Sequence, residues 1–325
     1  MDRELNLGKI AFVFPGQGSQ KPGMGRALYD ASPTVRELFG EANELLGFDL
    51  RDLCFNGPES SLRDTENAQP ALYVVSVAAA QVLRENSSIA PAAVAGHSVG
   101  EYAALTVAGV LAFADGVRLV RKRAELMRDA AIASPGTMLA LLGLDLPVAR
   151  EVCREAQKAG GVAAVANVNG GGQIVISGTV EAMERAAVLA KEAGARKVIP
   201  LSVSGPFHSP LMVSAGDSLF HVLANTALTK PQIPVVSNVT AEYFDSPADV
   251  LAGLTRQVSG SVLWEQSIQK LIADGIDTFI EVGSGEVLCG LIRRIDKGCS
   301  TFPVQSLEDV QKAVTAINST AEQAV

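Results

Sequence analysis

Residues Gly96-His97-Ser98-Val99-Gly100 have the Gly-x-Ser-x-Gly spacing that puts a serine on a sharp strand-to-helix turn. The flanks agree. Ala92 to Ala95 reads as a buried strand, and the chain from Glu101 onward reads as an apolar, Ala-rich helix. Glycines on both sides let the backbone turn tightly, so Ser98 stands just before a helix N-terminus. Helix N–H groups and the helix dipole there favour negative charge. A serine so placed suits acyl transfer, in which an oxyanion develops beside the nucleophile. The plainer alternative is an N-cap serine, a position this residue also favours.

A second segment suits the same chemistry. The apolar run Ile10 to Phe14 reads as a strand that stops at Pro15-Gly16-Gln17-Gly18-Ser19-Gln20. Glycine has no Cβ, so such a turn can bring bare backbone N–H groups close to a ligand. It would supply one oxyanion donor, facing the donor that follows Ser98. An ordinary strand-to-helix loop is the alternative.

A nucleophilic serine needs a base, and the chain has three histidines, His97, His208 and His221. His97 adjoins Ser98, and neighbours on a tight elbow point apart. His221 falls in a helix-like stretch from Asp217 to Leu223, where a surface or core role is the simpler reading. His208 lies in Ser204-Gly205-Pro206-Phe207-His208-Ser209-Pro210, a loop held by two prolines and a glycine, and is the preferred base. Asp217 and Glu281 are available to orient it, but neither is marked by context. Arg118, Arg121, Lys122, Arg123 and Arg128 crowd Val117 to Arg128, a helix-like segment. Such a run is ordinarily a solvated face. Neighbours on a helix stand about 100° apart, however, so one of the set can point inward.

The elements that must position these groups follow a recognisable plan. Strands alternate with Ala-rich helices up to Ser134-Pro135-Gly136. The texture then changes: strand Met138 to Leu144, helix Pro147 to Lys158, strand Val162 to Val168, a turn at Asn169-Gly170-Gly171-Gly172, strand Gln173 to Ser177, helix Val180 to Ala193, strand Ala195 to Leu201. This βαββαβ order is the ferredoxin-like split unit. After Ser204 the α/β texture resumes, with strand-like Pro234 to Ser237 and Thr278 to Val282. The expected fold class is α/β, a hydrolase-like large domain (1–132 and 204–325) with an inserted ferredoxin-like small domain (133–203). The site is expected in the cleft between the two. From Gln311 the tail is expected to fray.

Three segments in order, Phe14-Pro15-Gly16-Gln17-Gly18-Ser19-Gln20, Gly96-His97-Ser98-Val99-Gly100-Glu101-Tyr102 and Gly205-Pro206-Phe207-His208-Ser209, resemble the motifs of malonyl-CoA:acyl carrier protein transacylases. The resemblance runs from about Lys9 to about Arg294. It implies the same two-domain plan and a ping-pong transfer of malonyl from malonyl-CoA to the phosphopantetheine thiol of holo-acyl carrier protein. It implies Ser98 as nucleophile, His208 as base, and the backbone N–H groups of Gln17 and Val99 as the oxyanion hole. The backbone carbonyl of Gln257 would orient the histidine, with little role for the Gln257 side chain. Arg123 would bind the free malonyl carboxylate, because a planar fork holds a carboxylate bidentately. Phe207 would crowd the malonyl Cα, and Asn167 and Gln69 would put polar groups near the acyl pocket. The other basic residues of the Arg123 segment would be free to face the acidic carrier protein. Two departures are minor: Val99 stands where Leu is commoner, and Gly283-Ser284-Gly285 stands where Gly-Pro-Gly is frequent, which loosens that loop. An esterase or thioesterase of the α/β-hydrolase type uses the same elbow, but with an acid between Ser and His in chain order and a different oxyanion signature. A catalytically silent carrier-protein scaffold would not need Ser98, His208 and Arg123 together.

Composition permits this reading. The chain has 325 residues, 48% apolar and 19% charged, which suits a well-packed globule. A formal net charge of −8 argues against a general nucleic-acid binder. Met1 to Leu5 shows no signal-peptide hydrophobic region, and no uncharged stretch is long enough to span a bilayer. Cys54, Cys153, Cys289 and Cys299 are scattered without metal-ligand spacing and read as reduced thiols. The expectation is a cytoplasmic or organellar monomer that uses no metal or redox cofactor and binds neither nucleic acid nor membrane.

Overall fold

Nine strands in two sheets carry the architecture among residues 9–323, the part of the chain described by the structure, which is a computed structural model. The Met1 to Leu5 segment lies outside these residues. The strands are β1 Lys9–Phe14, β2 Ala93–Gly96, β3 Thr137–Leu142, β4 Ala163–Gly170, β5 Gln173–Gly178, β6 Lys197–Pro200, β7 Val235–Val236, β8 Ile276–Val282 and β9 Ser300–Val304. The larger sheet is parallel in the order β7-β2-β1-β8-β9. Both of its faces are covered, which is why β1 reads as an unbroken apolar run. Successive side chains still alternate. Phe12 and Phe14 join the main core, with helices Thr65–Asn86 and Gly100–Val107, while Ala11 and Val13 join Trp264, Ile268 and Leu288 on the opposite face.

The smaller sheet is antiparallel in the order β4-β5-β3-β6 and follows the chain order β3, helix Leu146–Gln157, β4, β5, helix Val180–Glu192, β6. It is the ferredoxin-like unit that the sequence predicts. It has its own core, in which Leu141 and Ile176 of the sheet pack with Ala149, Val152 and Met183 of the two helices. The turn joining β4 to β5 needs glycine, since Gly170, Gly171 and Gly172 all have positive φ (86°, 60° and 73°).

Two long helices frame the cleft. Helix Thr65–Asn86 carries Pro70 in its second turn, and proline cannot donate to the Glu66 carbonyl one turn earlier. Arg121 Nη1 takes up that carbonyl at 2.8 Å. Helix Phe113–Ala133 buries Gly116, Val120, Arg123, Met127 and Ala130 along one stripe at helical spacing. The C-terminal segment differs from expectation. Leu307–Gln323 is a helix, with Val310, Ala313 and Ile317 buried against the main core, so its apolar residues at helical spacing outweigh its polar composition. No helix of the described residues is long and apolar enough to cross a membrane.

Candidate active site

The parallel pairing of β1 with β2 sets Phe14 beside Gly96, so both strands end at the same edge of the sheet. The turn after β1 and the elbow after β2 therefore face each other, as loops at the C-terminal ends of parallel strands do. The flanking glycines serve this approach rather than the φ angle of the turn. A Cβ on Gly100 would lie 2.2 Å from the Phe14 carbonyl oxygen, and one on Gly16 would lie 2.5 Å from that of His97. The strained residue is Ser98 itself, at φ 52°. A left-handed conformation at such a residue costs about 1–2 kcal/mol and persists only where the surroundings impose it.

Those surroundings can be named. Asn238 accepts the Ser98 N–H at its Oδ1 (2.8 Å) and donates from Nδ2 to the Gly96 carbonyl (2.6 Å). The Gln257 side chain donates to the Ser98 carbonyl at 2.9 Å. The amides of Gln17 and Val99 meet no acceptor among the described residues, and both residues line the cleft. On the β1 side, Ser284 Oγ donates to the Ser19 carbonyl at 2.8 Å. The Gly283-Ser284-Gly285 loop thus ties down the Gly16–Gln20 turn, contrary to the loosening expected of it.

His208 lies across from the elbow, also in a left-handed conformation (φ 57°). Its Nε2 is 2.8 Å from Ser98 Oγ, and its Nδ1 is 2.8 Å from the Gln257 carbonyl. A carbonyl can only accept, so Nδ1 carries the proton and Nε2 is free to accept from the serine hydroxyl. Burial, and then the nearby Arg123 charge, push the imidazole down to about 3, so it is neutral at physiological pH. The carboxylates Asp217 and Glu281 do not orient it. Glu281 instead accepts the Cys289 N–H at 2.7 Å.

Arg123 is the inward-pointing member of the basic helix and is 1% exposed. Its Nη1 donates to Gln69 Oε1 (2.5 Å), and its Nη2 to Gln257 Oε1 (2.9 Å) and to Ser98 Oγ (3.2 Å). Among the described residues its Nε has no partner and none of its hydrogen bonds goes to a carboxylate; the Tyr102 ring lies 5.7 Å from the guanidinium carbon, and burial lowers its pKa. The Gln69 amide also donates to Thr65 Oγ1, which donates to Gln17 Oε1, so polar side chains run unbroken from the Gly-rich turn to the arginine. The other basic residues of this helix are engaged within the protein. Arg118 pairs with Asp115, Arg121 and Lys122 with Glu125, and Arg128 with Glu66 and Asp129.

Ser98, His208, Arg123, Gln69, Gln17 and Val99 line a cavity of about 260 Å³. Phe207 and Asn167 also line it, Asn167 from β4 of the small sheet, together with Met127, Met138 and Leu201. His97 turns away from Ser98, bonding Asn169 Oδ1 of the small unit at 2.9 Å and lying 5.5 Å from the Trp264 ring. His221 is exposed on helix Val213–Leu223. Two residues of the site were not anticipated. Glu101 is fully buried and touches both Asn238 and Gln257, and its signal is a lone charge immediately before the uncharged run from Tyr102 to Ala114. Asn238, in Ser237-Asn238-Val239, carried no signal. Gln257 corrects its expectation, because its side chain is as engaged as its carbonyl.

Residues 11–316 match the model of the acyl transferase domain family. The malonyl CoA-acyl carrier protein transacylase of Bacillus subtilis is 45% identical over 311 residues, which are 96% of this chain and 98% of that protein. The chain belongs to the malonyl CoA-acyl carrier protein transacylase family. It is therefore an acyltransferase, and the elbow, His208 and the buried arginine are read in that light. The crystal structure of an acyl-carrier-protein S-malonyltransferase from Bartonella henselae superposes with a TM-score of 0.92 at 39% identity, covering 95% of this chain and 99% of that one. A malonyl-transacylase in complex with its type II PKS acyl-carrier protein superposes equally well, with TM-score 0.92, 39% identity and coverages of 95% and 99%.

Proposed function

We propose that this acyltransferase moves malonyl from malonyl-CoA to the phosphopantetheine thiol of a holo-acyl carrier protein by a ping-pong route through malonyl-Ser98. One observation carries the choice of acyl group: a buried guanidinium without a carboxylate partner lies 3.2 Å from the nucleophile oxygen. A buried charge is costly unless paired, so the site favours an acyl group that brings a carboxylate. The names of the relatives agree with this substrate pair.

Ser98 Oγ attacks the thioester carbonyl carbon as its proton passes to His208 Nε2. The carbonyl oxygen becomes an oxyanion held by the Gln17 and Val99 amides. The tetrahedral intermediate collapses, the C–S bond breaks, and the coenzyme A thiolate takes the proton from His208. The carrier thiol then gives its proton to His208 and attacks the serine ester. Collapse in the other sense returns the proton to Ser98 Oγ. Phe207 lines the same cavity, which supports reading it as the side chain that crowds a substituent on the malonyl Cα. A single methyl changes selectivity by about 1–3 kcal/mol.

Intact-protein mass spectrometry tests the route. Malonyl-CoA alone should add one malonyl group, at Ser98, and Ser98→Ala should abolish it. With holo-acyl carrier protein present, malonyl should appear on the carrier much faster than as free malonate. A malonyl adduct on Ser98→Ala would refute the serine route. Free malonate as the main product, whatever the carrier concentration, would favour a thioesterase.

A further inference from the structure

Glu101 lies in the first turn of helix Gly100–Val107, three residues after Ser98, and is fully buried. Its Oε1 accepts the Asn238 N–H at 2.7 Å, and its Oε2 accepts from Gln257 Nε2 at 2.5 Å. Both oxygens face donors, so the ionised carboxylate is the form these contacts fit. Burial pushes the carboxyl up to about 8, and the two donors and the Arg123 charge oppose that rise.

The Gln257 amide is the next link. Its Nε2 faces Glu101 Oε2, the Ser98 carbonyl and, at 3.4 Å, Asn238 Oδ1, all acceptors. Its Oε1 accepts from Arg123 Nη2. The reversed amide would set oxygen against a carboxylate and a carbonyl, and NH₂ against a guanidinium. One orientation therefore satisfies the site. Glu101 enforces it from the NH₂ end of the amide, and Arg123 from the oxygen end.

We propose that Glu101 is a positioning residue for acyl selection, holding the Gln257 amide so that its oxygen fixes Arg123 for the acyl carboxylate. This rests on the reading of Arg123 as the carboxylate ligand. Glu101 touches no reacting atom and acts through Gln257. In Glu101→Gln the new side chain must give its oxygen to the Asn238 N–H, which leaves NH₂ facing the Gln257 NH₂. Gln257 then turns or withdraws, and Arg123 loses an acceptor.

The test is the ratio of kcat/KM for malonyl-CoA to that for acetyl-CoA in wild type, Glu101→Gln, Gln257→Met and the double variant. Gln257→Met keeps the carbonyl that orients His208 but removes the amide. Each single variant should lower the ratio roughly tenfold, the usual scale for a hydrogen bond to a charged group. The double variant should be no worse than Gln257→Met, because Glu101 acts through that amide. A merely structural role would depress both substrates alike and leave the ratio unmoved. An unchanged ratio in Glu101→Gln, or losses that add in the double variant, overturns the proposal. If Glu101→Gln proves too unstable to assay, Gln257→Met decides, and an unchanged ratio there overturns the link through Arg123. Wild type is checked first for malonyl on Ser98, since its absence would sink the underlying reading and not this one.

Discussion

Replacing Arg123 by alanine removes the buried cation of the site, and the size of the effect follows from its contacts. A malonyl carboxylate held by two charge-assisted hydrogen bonds gains about 1.5–3 kcal/mol from each, so about 3–6 kcal/mol in all. At about 1.4 kcal/mol per tenfold, kcat/KM for malonyl-CoA should fall by roughly 10²- to 10⁴-fold. Acetyl-CoA should not share the loss. It brings no carboxylate, and in wild type it leaves the guanidinium buried with only the amide oxygens of Gln69 and Gln257 and the Ser98 hydroxyl. Arg123→Ala should therefore abolish most of the preference for malonyl. Arg123→Lys should recover little, because an ammonium is a point charge without the planar fork that reaches Gln69 and Gln257 together. Arg121→Ala is the control. Its guanidinium caps the Glu66 carbonyl freed by Pro70 and pairs with Glu125, so its loss should lower Tm by roughly 2 °C and leave the ratio alone. The assay is kcat/KM for each acyl-CoA at a fixed concentration of holo-acyl carrier protein. An unchanged ratio in Arg123→Ala would show that another group reads the carboxylate and that the buried guanidinium has a structural task.

Three further outcomes are expected. His208 is held down to about 3, and in the proposed mechanism its neutral form is the base, so the rate of Ser98 acylation should stay flat from about pH 7 to about pH 5, where a solvated histidine would be largely protonated. An acid limb with its midpoint near 6.5 would refute the buried, neutral imidazole. In equilibrium unfolding the same group should cost stability as pH falls from its unfolded value near 6.5 towards 3, since the unfolded chain takes up the proton first, and should cost none above that window. Gly100→Ala should lower Tm far more than any surface change, because its Cβ would meet backbone at 2.2 Å, whereas Gly40→Ala, on an exposed helix face with nothing within 4 Å, should raise stability by about 0.5–1 kcal/mol. Equal melting of the two variants would show that β1 and the elbow can separate.

The chemistry that depends on neighbours in sequence was legible in the chain. The elbow around Ser98, the Gly-rich turn after β1, the stiff loop carrying His208 and the βαββαβ order all arise from local turn geometry and short-range periodicity, which residue types declare directly. The burial of Arg123 was half-legible, since it shares a helical stripe with Val120 and Met127. The lock around Ser98 was not. Asn238 and Gln257 lie 140 and 159 residues from Ser98 along the chain; parallel pairing brings the ends of β2 and β7, and with them Ser98 and Asn238, to one edge of the sheet, and helix Pro247–Gln257 ends against them. Sequence named Gln257 for its carbonyl, but its side chain has a task only because Glu101, Ser98 and Arg123 converge on it. The C-terminal helix follows the same logic. Its polar composition suggested fraying, and burial of Val310, Ala313 and Ile317 against a core built by distant segments holds it in place. Local sequence determines which groups can react. Long-range packing decides which of their polar atoms are left free to do so, because a buried donor or acceptor must find its partner wherever the fold supplies one.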